Sequence, residues 1–260
     1  MDLIEFENVT KRFGGNAVLD GLSFSVKKGE VLCVVGPSGT GKSVTLKHLV
    51  RLLTPTSGRV LVDGTDVSTC DDETLAKIRG RIGDLFQGGA LLAWMTVAEN
   101  VALPLSECTD LSDDEIDRRV AAALEAVEMT AAAEKYPAEI SGGMQKRAGL
   151  ARAVVRESDI VLYDEPTSGL DPVTSVTINN LIRKLNRTLG ITSVVVTHDL
   201  QGALLFADRL LLLKDGRAAA LATPEEFVRS PSPAVREFLE AQFITEDSFL
   251  QMKERYEKEH

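Results

Sequence analysis

Apolar and polar positions change rhythm along the chain, and each rhythm predicts a different element. In residues 1–60 the apolar stretches are short. Leu3–Phe6, Leu22–Val26 and Val31–Val35 are apolar or alternating, and Gly14-Gly15 and Lys27-Lys28-Gly29 separate them, which predicts strands joined by turns. Past Gly41 the period becomes helical. Val44, Leu46, Leu49, Val50 and Leu53 recur on one face until Thr54-Pro55, and Arg59–Asp63 then reads as a strand closed by an Asp63-Gly64 turn.

The middle of the chain is helical in a different way. Ser112-Asp113-Asp114-Glu115 has the form of a capping box, with Ser at the N-cap and Glu three residues on. Ile116, Val120, Leu124 and Val127 follow at spacings of four, four and three, one face of a helix. From Asp159 onward strand and helix alternate: Ile160–Tyr163, a helix over Val173–Leu189, Thr192–Val196, a helix over Leu200–Ala207, and Leu210–Leu213. Such alternation predicts a parallel sheet covered by helices. Pro231-Ser232-Pro233 punctuates the end of this pattern, Ala234–Phe243 reads as a further helix, and residues 245–260 are polar. Phe249, Met252 and Tyr256 form a narrow stripe if Ser248–Lys258 is helical; a solvated, disordered end is the other reading.

Composition narrows the partners. The 260 residues suffice for a large core, and 29 basic against 39 acidic side chains give a net charge of −10. A general nucleic-acid binder needs clustered Lys and Arg to neutralise phosphates, so nucleic acid is excluded as a partner. The acidity is local: residues 107–139 hold ten acidic and three basic side chains. The acidic start, Met1–Glu7, lacks a signal-peptide pattern, and no apolar run is long enough to span a bilayer, so the chain is expected neither to cross a membrane nor to be exported by a signal of its own. Cys33, Cys70 and Cys108 show neither metal-ligand nor disulfide spacing and read as reduced, mostly core residues.

Two segments carry chemistry. Gly36-Pro37-Ser38-Gly39-Thr40-Gly41-Lys42-Ser43 fits the P-loop pattern between a strand and a helix. Its glycines let backbone N–H groups turn onto phosphate oxygens, and the following helix presents its positive end there. Lys42 neutralises the β- and γ-phosphates, and the Ser43 hydroxyl binds Mg²⁺. Chance would produce the four specified positions in a chain of this length roughly once in a hundred. The second segment, Ile160-Val161-Leu162-Tyr163-Asp164-Glu165, is a buried strand ending in two carboxylates, at the strand end where ligands bind in open α/β sheets. Adjacent strand residues point opposite ways, so one carboxylate is expected to support Mg²⁺ and the other to polarise a water.

With these stands Ile140-Ser141-Gly142-Gly143-Met144-Gln145, and at this point the sequence resembles the nucleotide-binding subunit of ABC transporters over about residues 1–240, with the family's motifs in order. Taken singly, Phe13 reads as core, Gln87 as a surface polar residue, Ser141-Gly142-Gly143 as a flexible turn and His198 as a structural histidine. Their joint occurrence carries the resemblance. It implies an α/β fold: a P-loop NTPase of ABC type over residues 1–243, with a mostly parallel sheet core, an N-terminal antiparallel β subdomain, an α-helical subdomain inserted at about 88–155, and a polar tail over 244–260.

The resemblance also implies roles. Phe13 stacks on adenine, and Gly36, Ser38, Gly39, Thr40, Gly41, Lys42, Ser43 and Val44 surround the phosphates. Asp164 supports Mg²⁺ through water, Glu165 polarises the attacking water, and His198 contacts the γ-phosphate. Gln87, in Leu85-Phe86-Gln87, touches the Mg²⁺ and the water and borders the membrane subunit. Ser141, Gly142 and Gly143 bind the γ-phosphate held by the opposite subunit, and Ser168-Gly169-Leu170-Asp171 runs between the two subunits. The implied assembly is a homodimer closing head to tail over two ATP, joined to integral-membrane permease subunits. The helical insertion docks on the permease, with Ala90-Leu91-Leu92-Ala93-Trp94-Met95 lining the receiving groove; the other reading places Trp94 and Met95 in the subdomain core.

One departure is informative. The family signature usually ends in Gln, whereas position 144 is Met and Gln145 follows. Phosphate contacts come from the serine hydroxyl and glycine backbone, so Met144 need not abolish hydrolysis. Met144 with Lys146-Arg147 and Gly149-Leu150-Ala151-Arg152, together with residues 38–49 and 85–92, resembles the Mla- or Mce-type subgroup, which moves phospholipids or other lipids between bacterial membranes. That subgroup implies a peripheral position on the cytoplasmic face of the bacterial inner membrane, an Mce-domain lipid-binding partner and a small accessory subunit, which a C-terminal extension can reach. The alternatives are the ATPase of a small-solute importer, for example of polar amino acids, and a soluble ABC ATPase of DNA repair or translation. The latter carry two cassettes, coiled-coil insertions or basic surfaces, none of which this sequence shows.

Overall fold

Strand-forming residues open the chain, and the first two strands bury Leu3, Ile4, Phe6 and Val9 from one and Leu19, Leu22, Phe24 and Val26 from the other. A computed structural model describes residues 2–85 and 91–259. β1 (Asp2–Phe13) and β2 (Asn16–Lys27) are joined at Gly14-Gly15 and followed by β3 (Val31–Val35), buried at every position. Then come α1 (Lys42–Leu49), β4 (Ser57–Val62), β5 (Thr65–Asp66), α2 (Asp72–Gly80) and β6 (Ile82–Leu85). Beyond residue 90 lie α3 (Val97–Cys108), α4 (Asp113–Ala126), 3₁₀ turns at Thr130–Ala132 and Pro137–Glu139, α5 (Gly142–Val154), β7 (Ile160–Asp164) and α6 (Pro172–Leu189). β8 (Thr192–Val196), α7 (Leu200–Phe206), β9 (Arg209–Lys214), β10 (Arg217–Ala222), α8 (Pro224–Val228), α9 (Pro233–Ala241) and α10 (Glu246–Glu259) complete the order. The chain forms two compact units, one from residues up to Leu75 together with those from Val194 onward, the other from Ala76–Ser193.

In the first unit an antiparallel sheet has the order β2–β1–β4–β5. Its register sets Phe6 opposite Phe24 and Val60, and the two phenyl rings stack with centroids 4.5 Å apart. β9 pairs β3 in parallel, with Val35 opposite Leu212, and β10 returns antiparallel through Asp215-Gly216. Ties distant in sequence anchor β3. The Val31 N–H donates to the Asp208 carboxylate at 2.9 Å, and the Arg209 guanidinium grips both oxygens of buried Glu30 and the Ser25 carbonyl. A buried carboxylate with this many donors escapes the cost of an unpaired charge.

α1 is shorter than its periodicity predicts. Arg51 adopts φ 49°, its N–H donates to the His48 carbonyl at 3.1 Å, and the Leu52 N–H donates to Lys47 at 2.9 Å. That pair of bonds is a Schellman termination, which closes the helix before Leu53 and well before Pro55. From Glu246 to Glu259 the chain is helical. α10 packs on α7 with Phe249 buried and Met252 and Tyr256 half-buried, and Lys253–Glu225 and Arg229–Glu246 ion pairs at 2.5 and 2.6 Å flank it.

In the second unit β6 pairs β7 in parallel, Ile82 opposite Ile160 and Leu85 opposite Tyr163. Gly83 lets β6 pass under α5, because any Cβ there would collide with the Ala153 carbonyl. Helices α3, α4 and α5 pack together beside this pair. α4 buries Ile116, Val120, Ala123 and Leu124 on one face, as the spacing predicts. Its capping box does not form. Ser112 stands at the N-cap without a side-chain bond: the Glu115 N–H donates to the Ser112 carbonyl at 3.0 Å, and the Glu115 carboxylate turns to Arg118 and Arg119. A true capping box closes at α3, where Thr96 and Glu99 exchange bonds of 2.7 and 3.2 Å.

The cysteine expectation is corrected. All three thiols are free, but only Cys33 is core; Cys70 is half-buried and Cys108 exposed, at the polar end of α3. Among the described residues no helix is long and apolar enough to cross a membrane.

Candidate functional site

In the first unit β3 runs directly into the P-loop. Gly36, Gly39 and Gly41 have φ of 150°, 80° and 97°, conformations that L side chains rarely adopt. At Gly36 a Cβ would also collide with the Leu213 carbonyl, and at Gly41 it would lie 2.8 Å from Leu19 Cδ2 and 3.0 Å from the Val18 carbonyl. The loop is therefore bare backbone laid tightly over β9 and β2. Ser38 and Gly39 face solvent and Thr40 is half-buried, its hydroxyl donating to the Pro37 carbonyl at 2.9 Å. Lys42 opens α1 with 7% exposure, and its Nζ donates to the carbonyls of Gly36 and Pro37 at 2.8 and 2.9 Å. The ammonium thus stands over the curve of the loop. Ser43 and Val44 follow in the first helical turn, half-buried.

Two further residues of this unit that the resemblance singles out are open to solvent. Phe13 ends β1 with 46% of its surface open, outside the core, and the Lys11 ammonium sits 5.2 Å from the ring centroid. His198 is exposed in the turn after β8, which the Thr197 N–H joins to β3 at the Val34 carbonyl (3.2 Å), and the Leu200 N–H donates to the His198 carbonyl at 3.0 Å. Val18 escaped the sequence reading, although its Cγ1 and carbonyl border the end of the P-loop. Nothing in the alternation of β2 distinguishes it; only the fold brings it to Gly41.

The second unit carries the carboxylates and the signature. Asp164 and Glu165 are both 6% exposed. The strand ends at Asp164, and Glu165 takes φ 54°. Strand alternation therefore does not separate the two carboxylates, contrary to the sequence argument: Glu165 has already left the pleat. Its carbonyl accepts from the Ser168 N–H at 3.2 Å, and the Thr167 carbonyl accepts from Leu170 at 3.2 Å, so two successive turns lead to Asp171. Buried Lys146 on α5 feels opposed influences: burial pushes its pKa down and the Glu165 charge holds it up. The periodicity of α5 gave no sign of this neighbour.

Ser141 is the N-cap of α5, its Oγ accepting from the Met144 N–H at 3.3 Å, and Gly142 and Gly143 form the first turn. The Gln145 amide faces backward and donates to the Pro137 carbonyl at 2.9 Å. Asp171 caps α6, accepting from the N–H groups of Val173 and Thr174 at 3.0 Å each and from the Thr174 hydroxyl at 2.5 Å. The Thr174 hydroxyl and amide hold the Asp171 carboxyl below its ordinary range.

Gln87 and Ala90 lie outside the described residues. Of the adjoining loop, Trp94 is 73% exposed, so the core reading of that residue is wrong. Buried Asn100 pins the backbone of this loop on both sides of Trp94. Its Oδ1 accepts from the Leu92 N–H at 2.7 Å, and its Nδ2 donates to the carbonyls of Leu92, Met95 and Thr96 at 2.9–3.1 Å. Nearby in sequence, Asp84, Leu103, Pro104, Cys108, Arg152 and Arg156 line a cavity of about 340 Å³. Burial pushes the Asp84 carboxyl up while the Arg152 charge opposes the shift.

Among the described residues no cluster of three or more His, Cys, Asp or Glu side chains could hold a metal alone. The Ser43 hydroxyl in the first unit and the Asp164 carboxylate in the second are each hard oxygen donors, the ligand type that Mg²⁺ takes. The bare glycine backbone, with the Lys42 ammonium over it, likewise fits a polyphosphate.

Comparison with known proteins agrees with this inventory. The ABC transporter family model matches residues 19–168. The intermembrane phospholipid transport system ATP-binding protein MlaF of Haemophilus influenzae is 39% identical over 241 residues, covering 93% of this chain and 91% of that protein. A probable ribonucleotide transport ATP-binding protein of Mycobacterium leprae, mkl, is 41% identical over 241 residues, covering 93% of this chain and 70% of its own. Among solved structures, a dimeric ATP-binding cassette in a post-hydrolysis state bound to ADP and Pi is 37% identical with a TM-score of 0.76, covering 85% of this chain and 98% of that one.

Proposed function

The chain belongs to the ABC transporter family and is an ATPase subunit of a transporter, and from that premise we propose that its hydrolysis powers the movement of phospholipid between bacterial membranes. The cradle carries the ATP reading: three glycines in left-handed backbone with a buried lysine ammonium over them. The likeness to the Haemophilus protein, over nearly the whole of both chains, supports the cargo.

The residues divide the work as follows. Lys42 exchanges its bonds to the Gly36 and Pro37 carbonyls for β- and γ-phosphate oxygens, the N–H groups around Ser38, Gly39, Thr40, Gly41 and Val44 complete the cradle, and Phe13 offers its open face to adenine. Ser43, Gln87 and Asp164 are the residues that would hold Mg²⁺, which when bound spreads the charge of the phosphates. Glu165 draws a proton of the attacking water, and His198 contacts the γ-phosphate. Phosphoryl transfer is mostly positioning and charge stabilisation, so this small set is enough. Ser141, Gly142, Gly143 and Asp171 face the nucleotide of a second copy, closing a homodimer over two ATP. The ATPase domain spans 1–243 with its helical insertion at about 88–155, and the loop pinned by Asn100 presents Trp94 to a permease on the cytoplasmic face of the inner membrane. An Mce-domain lipid-binding protein and a small accessory subunit complete the complex.

The mycobacterial likeness supports a second reading, in which a ribonucleotide is the cargo. Reconstitution with the permease complex in proteoliposomes separates the two. ATP-driven transfer of fluorescent phosphatidylethanolamine to acceptor vesicles, with no ATP-driven uptake of ribonucleotide, is expected. Ribonucleotide uptake without lipid transfer would replace the first reading with the second.

A further inference from the structure

Gly143 is a glycine for a reason its own backbone does not supply. It stands in the first turn of α5 in ordinary helical conformation, so the left-handed freedom of glycine is not in use. A Cβ there would lie 2.6 Å from Thr174 Cγ2, closer than real side chains come, whereas the next atom, Thr174 Cβ, is 4.0 Å away. Gly142 has more room, its nearest neighbour being Leu170 Cδ2 at 3.6 Å. The tight contact therefore comes from one methyl group.

Thr174 is held against stepping aside. Its hydroxyl donates to Asp171 Oδ2 at 2.5 Å and its backbone N–H to Oδ1 at 3.0 Å. A β-branched side chain has few χ1 choices in a helix, and a bond from its hydroxyl to a fixed carboxylate selects one. That choice directs the methyl at Gly143.

We infer that Thr174 is a positioning residue for the Ser141–Gly143 turn. Asp171 orients Thr174, the Thr174 methyl sets how closely the Gly143 backbone approaches α6, and the turn shifts with the loop 168–171 as one body. This rests on the reading in which Ser141, Gly142 and Gly143 meet the γ-phosphate held by a second copy.

Relocating the methyl tests it. Gly143→Ala adds a carbon at the contact. Thr174→Ser removes Cγ2 and keeps the hydroxyl for Asp171. The double variant moves one methyl across the contact with the carbon count unchanged, the kind of swap that cores tolerate best. Each is made in the full chain within its permease complex, and ATP affinity and turnover are measured separately. Gly143→Ala is expected to keep its affinity for ATP and to lose about tenfold or more in turnover, and adding Thr174→Ser is expected to recover most of that loss, a coupling of the size seen for residues in contact. A double variant as slow as Gly143→Ala alone overturns the role of Thr174 and leaves the signature reading standing. Full turnover by Gly143→Ala overturns both. If Gly143→Ala does not fold, Thr174→Val decides: it keeps the methyl and loses the bond to Asp171, so turnover should fall at constant ATP affinity, and unchanged turnover overturns the inference.

Discussion

The two units fix their functional loops by opposite means. In the first, the P-loop is held from distant parts of the chain: Gly36 lies over the Leu213 carbonyl, Gly41 against Val18 and Leu19, and the strand feeding the loop is tied through Val31 to Asp208. In the second, the loops are held mostly by residues within three positions: Ser141 caps Met144, Asp171 caps Val173 and Thr174, and the Glu165 carbonyl holds Ser168. A loop wedged between strands opens only when the sheet opens, whereas a loop organised by its own caps can shift as a small unit at lower cost. The difference predicts a P-loop that opens only with its sheet and capped loops in the second unit that open more readily.

The sharpest way to break this comparison is at Gly36. Gly36→Ala places a Cβ against the Leu213 carbonyl in a strained backbone region and should destabilise the chain by about 3 kcal/mol, read from urea unfolding, while ATP binding is lost. Unfolding at the wild-type midpoint would mean that the P-loop is not wedged as described. The corresponding change in the second unit should do less. Asp171→Asn keeps a capping side chain and removes only the charge. Because the folded-state pKa of Asp171 is depressed, its charge contributes stability above the unfolded value of about 3.8, and that contribution disappears as pH falls through the lower folded value. Wild type should therefore melt slightly above Asp171→Asn at neutral pH, with the gap closing only below pH 3.8. A gap that persisted into that acid range would show that the charge of Asp171 is not what the cap uses.

The same contrast explains what could be read from the sequence. The P-loop, the strand ending in Asp164 and Glu165, and the signature were legible because each is contiguous and its chemistry is local. The tertiary reasons behind them were not. Val18 reaches Gly41 because the fold lays β2 against the end of the P-loop, and Thr174 reaches Gly143 through helix packing; neither contact leaves a spacing to detect. Local reasoning also failed where side chains compete. Glu115 matched a capping box and went to two arginines, Arg51 ended α1 by turning left-handed, and Glu165 escaped the alternation of its strand by the same turn. Trp94 sat in an apolar run that suited either a core or a surface. Only the fold, which leaves the ring of Trp94 exposed, settles which.

The central claim is that Glu165 serves the hydrolytic step and not the grip on ATP, and Glu165→Gln tests it most directly. The measurement is ATP affinity and ATP turnover of the full chain in its permease complex, for the wild type and this variant side by side. Affinity should stay within about threefold and turnover should fall by about a thousandfold, the range expected when a general base is removed. Wild-type turnover, or loss of ATP binding together with turnover, would contradict the account.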